Sequence, residues 1–286
     1  MRADLTADLT ADLIVVRKRP TFWILLAAWL VLDLVFAYLL PVVGYVSGKG
    51  RPSAGLATAE IALRSALPDQ LVPNALGGMA VFGGAIAVVF GALLVGSDYL
   101  GGTLKAALLR GNGRTSVTTG RLAAIALVAL FGVLATMGAG AASSVVVALS
   151  TDRVVHWPSA GQLVLGVLGG WLVMGMWSMF GAFLAHVVRG VALPIGLGVV
   201  WVMAVENLIT NVLADLVSWL RPVRDLMPAA NSGALIHAIS AKIDLGEPAP
   251  GVNSLVGGTH AATTLLCYVA VCVVGSILLV RARDLQ

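Results

Sequence analysis

Two carboxylates, Asp33 and Glu206, stand inside otherwise apolar runs of the chain. A carboxylate at mid-membrane depth costs a few kcal/mol unless it faces a wet cavity or a partner. Each is therefore read either as lining for a substrate or proton path, or as an interhelix hydrogen bond. Glu206 is followed by Asn207, Thr210 and Asn211, a polar patch toward one end of its run. The remaining chemistry-bearing residues are scattered. His156, His186, His237 and His260 fall at run ends and in a long loop, and none sits in an H-E-x-x-H pair that could hold zinc on a helix. Cys267 and Cys272 are five apart, which is neither a redox nor a metal spacing. The nearest approach to a phosphate loop, "GYVSGKG" at 44–50, has the wrong spacing and lacks the hydroxyl after its lysine that would bind magnesium. No G-x-S-x-G occurs. The residues offer no catalytic set, no cofactor cradle and no metal site, so a non-enzymatic role is expected.

The elements that must position these groups are membrane helices. The chain of 286 residues is 59% hydrophobic and 11% charged, against about a quarter charged in a soluble domain. Its apolar residues come in runs long enough to cross the ~30 Å hydrocarbon layer. The expected fold is all-α with six spans, at about 22–40, 71–96, 122–149, 162–185, 191–214 and 261–280, forming a single membrane domain. The first run is read as a retained span rather than a signal segment. With both termini inside, segments 1–20, 97–121, 186–190 and 281–286 carry eleven Lys and Arg in 56 positions, and the outer segments 41–70, 150–160 and 216–260 carry seven in 86. That bias places the termini in the cytoplasm. The net charge of +4 is spread over several loops, which suits lipid headgroups and gives no patch for nucleic acid.

Residues 3–13 read "ADLTADLTADL". The leucines make one stripe, continued by Val16, with the aspartates beside it, and an in-plane interfacial helix over 1–20 is expected. Gly166 and Gly170, and Gly181 and Ala185, are small-residue pairs four apart that let helices approach closely. The long outer segment 216–260 contains apolar pieces broken by Pro222 and Pro228, and reads as a surface or partly re-entrant helical cap.

Between the second and third runs lies "GSDYLGGTLKAALLRGNGRTSVTTGR", 96–121. Ser97 or Asp98 can cap a new helix there. Leu100, Leu104 and Leu108 line one face, with Lys105 and Arg110 off it. Gly111 and Gly113 stop it, and Thr118 or Thr119 can start the next helix. A short amphipathic helix on the inner surface is the expectation, with its basic face open to a soluble partner.

The order Asp98, Gly102, Thr103, Leu104, then Arg114 and Arg121 resembles the coupling segment of permeases of ABC-2-type transporters, where the acid is commonly Glu and the last basic residue commonly Lys. The outer-loop stretch "RDLMPAANSGALI", the interfacial helix and the six spans are similar to that family over nearly the whole chain. The resemblance implies the membrane subunit of an ATP-driven exporter in the cell membrane. A separate cytoplasmic ATP-binding subunit would hold ATP and magnesium, and a second permease subunit, a copy or a paralogue, would pair with this one. Asp98, Gly102, Thr103, Leu104, Lys105, Arg110, Arg114 and Arg121 would then form the ATPase-coupling element, and Asp33 and Glu206 would be candidates for the translocation path. The substrate implied is amphipathic or hydrophobic, such as a drug, a peptide antibiotic or a lipid. The competing reading is a self-sufficient proton-coupled secondary transporter working through Asp33 or Glu206, although no internal repeat of the kind such transporters carry is visible.

Overall fold

A computed structural model describes residues 2–47, 59–101, 113–240, 249 and 251–282; the side chains of 2–8, Arg114, Asn211, Asp215 and Ser218 are not described. Among the described residues every regular element is helical. We label them α1 (Arg2–Lys18), α2 (Pro20–Val46), α3 (Ala59–Ser65), α4 (Pro68–Leu100), α5 (Arg114–Ser150), α6 (Ala160–Val188), α7 (192–216), α8 (Arg221–Leu226), α9 (Pro228–Ser240) and α10 (Gly258–Ala282). Five of them, α2, α4, α5, α6 and α10, are long and apolar enough to cross a membrane. The region expected as the fifth of six spans, α7, is helical but not uniform. Its apolar helical run Ala192–Leu208 is shorter than the five others, and π turns at Trp201–Val205 and Ile209–Leu213 alternate with α turns.

Local chemistry sets several of the boundaries. Pro20 occupies the first turn of α2, and the extended Arg19 before it (ψ 119°) bends the chain away from α1. Arg17 and Lys18 lie in the last turn of α1, where cations suit the carbonyl end of a helix. Ser159 and Gln162 form a reciprocal capping box, so α6 starts at Ala160.

Helix α6 is the hub. It packs on α4, α5, α7, α9 and α10, and its Trp177, Met176 and Val173 are fully buried in the main core with Leu76, Met79, Val88 and Val133. The closest contact is with α4. A Cβ on Gly91 would run into the Ser178 carbonyl of α6, and one on Gly181 would meet the Val88 carbonyl of α4. Glycine at both positions lets the two backbones touch, which is how apolar helices associate where lipid removes the hydrophobic drive.

Three expectations change. Ser97 and Asp98 do not cap a new helix: they lie in the last turns of α4, which runs unbroken to Leu100. Helix α5 starts at Arg114 rather than at Thr118 or Thr119, so Arg121 sits two turns inside it. Of the two readings of 216–260, a surface cap and a partly re-entrant one, the first does not hold, because part of the segment is buried. Its helix α9 is buried from Ala230 to Ile236 against α4, α6 and α10. Gly102, Thr103, Leu104, Lys105 and Arg110, expected to form a coupling helix, lie outside the described residues.

Candidate functional site

The segments assigned to one side by charge do meet at one end of the bundle. Arg121 of α5 reaches Asp98 of α4 at 2.8 Å and Asp12 of α1 at 3.1 Å, with all three side chains nearly buried. Arg19, in the bend before α2, donates to Ser97 Oγ and lies 3.9 Å from Asp98. Beside them Tyr99 Oη pairs with His186 Nδ1 of α6 at 2.9 Å, their rings edge to face. Arg281 of α10 donates to Thr115 Oγ1 at the start of α5. Charges with this little exposure have to be paired, because an isolated one would forfeit its hydration. Here Asp98 and Arg121 are the two ends of the 97–121 segment and are bonded to each other. The helices on either side of residues 102–112 are therefore bonded to each other, with α1 strapped to them through Asp12.

Asp12, Arg19, Ser97 and His186 were not singled out from the sequence as members of this site. A weak signal existed. The aspartates of the repeat lie beside the leucine stripe, so when Val16 is buried in the second core cluster, Asp12 follows it inward. The arginine that receives it is 109 positions away, which no local pattern reveals.

The two acids of the apolar runs, Asp33 and Glu206, have different surroundings. Glu206 is completely buried. Its carboxylate accepts from the Trp201 indole N–H and from the Ala229 backbone N–H in the first turn of α9. Trp201 and Glu206 are five apart, and the π turn over Trp201–Val205 brings them to one face, where an α turn would separate them. Glu206 therefore acts as an acceptor for the Ala229 N–H, one of those at the start of α9 that have no carbonyl partner within the helix. A cavity of about 100 Å³ adjoins it, lined by Thr210, Asn207, Gly251 and Asn253. Asn231 of α9 donates to the Asp225 and Met227 carbonyls at 2.9 and 2.8 Å, and Asn253 donates to the Ala230 carbonyl at 3.2 Å. These bonds satisfy backbone carbonyls around the start of α9, among them that of Met227 in the break between α8 and α9.

Asp33 faces α5 instead. It is 6% exposed, and its Oδ2 has no hydrogen-bond partner among the described residues. One turn earlier on the same face Trp29 donates to Thr136 Oγ1 at 2.8 Å. One π turn later Tyr38 points its hydroxyl at Gly140. Thr136, Gly140 and Ser144 of α5, four apart, make a small polar stripe against which this face of α2 packs.

Among the described residues no three His, Cys, Asp or Glu side chains cluster as a metal site. The structure brings Asp98 and Arg121 together, leaves Asp33 and Glu206 on separate interfaces, and shows the Arg114 backbone opening α5. Compared with known proteins, the chain matches no family model and no curated protein.

Proposed function

We propose that this chain is the membrane subunit of an ATP-driven exporter, with six crossings of which α7 is one, both termini in the cytoplasm, and no catalytic residues of its own. A separate ATP-binding subunit hydrolyses ATP beneath it, and a second permease subunit completes the path. The cargo is an amphipathic or hydrophobic molecule. The single observation that supports this reading best is the Asp98–Arg121 pair, which closes the base of the 97–121 segment and ties it to α1 through Asp12. A soluble motor needs a stiff handle, since a push on a floppy loop is lost in the loop. A segment bonded at its base to two spans and an interfacial helix moves those elements together. Coupling is then a difference in contacts between two states of the assembly.

The test is co-expression with the candidate ATPase. Arg114→Glu should abolish ATPase stimulation and complex formation while membrane insertion stays intact. Full stimulation by that variant overturns the docking role. Asp33 supports a second reading, a proton-coupled transporter, because its buried Oδ2 has no partner among the described residues. Transport by the purified chain alone in proteoliposomes under a proton gradient, lost in Asp33→Asn, would establish that reading. No transport without an ATPase would eliminate it.

A further inference from the structure

A cavity of about 260 Å³ lies away from both Asp33 and Glu206. It lies between α2 and α4 at the end that carries α1, walled by Phe22 and Leu25 on one side and by Phe90 and Leu93 on the other, with Arg19 and Ser97 at its mouth. A smaller apolar space of about 50 Å³ shares Leu25 and Phe90 with it and continues along α2 to Trp29. From Arg19 to Trp29 is ten residues, roughly 15 Å of helix, which is about half of the ~30 Å hydrocarbon layer. The trough thus has the depth of one leaflet, is apolar along its length and is charged at one end. Its volume falls below the roughly 300–1,000 Å³ of a pocket for a compact drug-sized ligand, and its form suits a chain rather than a ring system.

The charge at the mouth has a sign. Arg19 and Arg121 meet Asp12 and Asp98, two cations against two anions, and Arg17 and Lys18, exposed in the last turn of α1 just before Arg19, add two further cations at this end. Asp98 is held closely by Arg121 and only at 3.9 Å by Arg19, and Arg19 remains about one-third exposed. Trp23 donates its indole N–H to the Arg17 carbonyl at 3.0 Å, an amphipathic ring at the level where a bilayer's polar and apolar zones meet.

We propose that this trough is a lipid site, seating one acyl chain of an anionic phospholipid of the leaflet on the N-terminal side, with its phosphate held by Arg19. The site joins α1 and α2 to α4 through a molecule that is not protein, and it stands whether or not an ATPase drives the chain.

The experiment uses the full chain in nanodiscs containing equal phosphatidylglycerol and phosphatidylcholine of matched chains, followed by mild detergent extraction and native mass spectrometry of the retained lipid. The expected result is an enrichment of phosphatidylglycerol of about fivefold, the worth of one arginine near an anionic head. Arg19→Gln should bring the ratio to near one, Arg19→Lys should keep it, and Leu93→Trp, filling the trough from a half-buried position, should lose retained lipid of both kinds. Equal retention of the two lipids by the unaltered protein overturns the proposal, as does undiminished retention in Leu93→Trp. These two measurements decide the matter even if Arg19→Gln fails to fold.

Discussion

The two ends of the bundle are held by different chemistry. At the end with α1, helices are joined charge to charge: Arg121 is shared by Asp12 and Asp98, and Asp98 is shared by Arg121 and Arg19. At the other end, Glu206 is bonded to an indole and a backbone N–H, and Asn231 and Asn253 to backbone carbonyls. A side-chain network has alternative pairings of similar geometry, so its helices can shift and remain satisfied. A bond to a particular backbone amide has one geometry, so it fixes the helix that carries the amide. The first arrangement tolerates small helix shifts, and the second holds the start of α9 in one place.

The sharpest way to break this comparison is to remove the shared cation. Arg121→Leu leaves two buried carboxylates facing each other, and losing one partner of a buried pair costs about 3–5 kcal/mol. The variant should lose most of its folded yield and unfold at a markedly lower temperature in detergent. Exchanging the charges, Asp98→Arg with Arg121→Asp, should restore part of the loss if pairing rather than position matters.

At the opposite end, Glu206→Ala leaves the Ala229 and Trp201 N–H groups unsatisfied, at a cost of about 1–3 kcal/mol. Glu206→Gln keeps an acceptor and should cost less. The effect should appear as faster proteolysis or hydrogen exchange in α9, with the α1 end unchanged. Equal effects at both ends would remove the distinction.

Between the ends, Thr136→Val removes the acceptor of the Trp29 indole without changing volume. Interhelix hydrogen bonds within membranes average only about 0.6 kcal/mol, so a small fall in thermal stability is expected. Smallest of all is Glu60→Gln. Glu60 bridges Arg64 at 3.4 Å and Arg153 at 2.9 Å, but all three side chains are more than 40% exposed, and such pairs are worth less than about 1 kcal/mol. Its loss should be invisible in 1 M salt, where screening removes it anyway.

Five long apolar helices and a helix over the first residues were legible in the residues. Asp98 and Arg121 were legible as the borders of a segment, and their contact with Asp12 was not. That contact needs α1 to fold back along α5, and helix approach is set by backbone proximity such as that of Gly91 with Ser178. Asp33 and Glu206 stood out as acids in apolar runs, but the partner of Glu206 is the start of a helix 23 residues on. The burial of α9 was hidden because Asn231 and Ser232, both fully buried, look like loop residues until their neighbours are known.

Membrane helices and their shared ends follow from hydropathy and charge, which are summed along the chain and need no knowledge of neighbours. The tertiary structure alone decided which charges meet, which acid was matched to a backbone amide, and where a helix takes an extra residue in a turn. The π turn at Trp201–Val205 makes the reason concrete: it changes which side chains share a face, and only packing against α9 selects it.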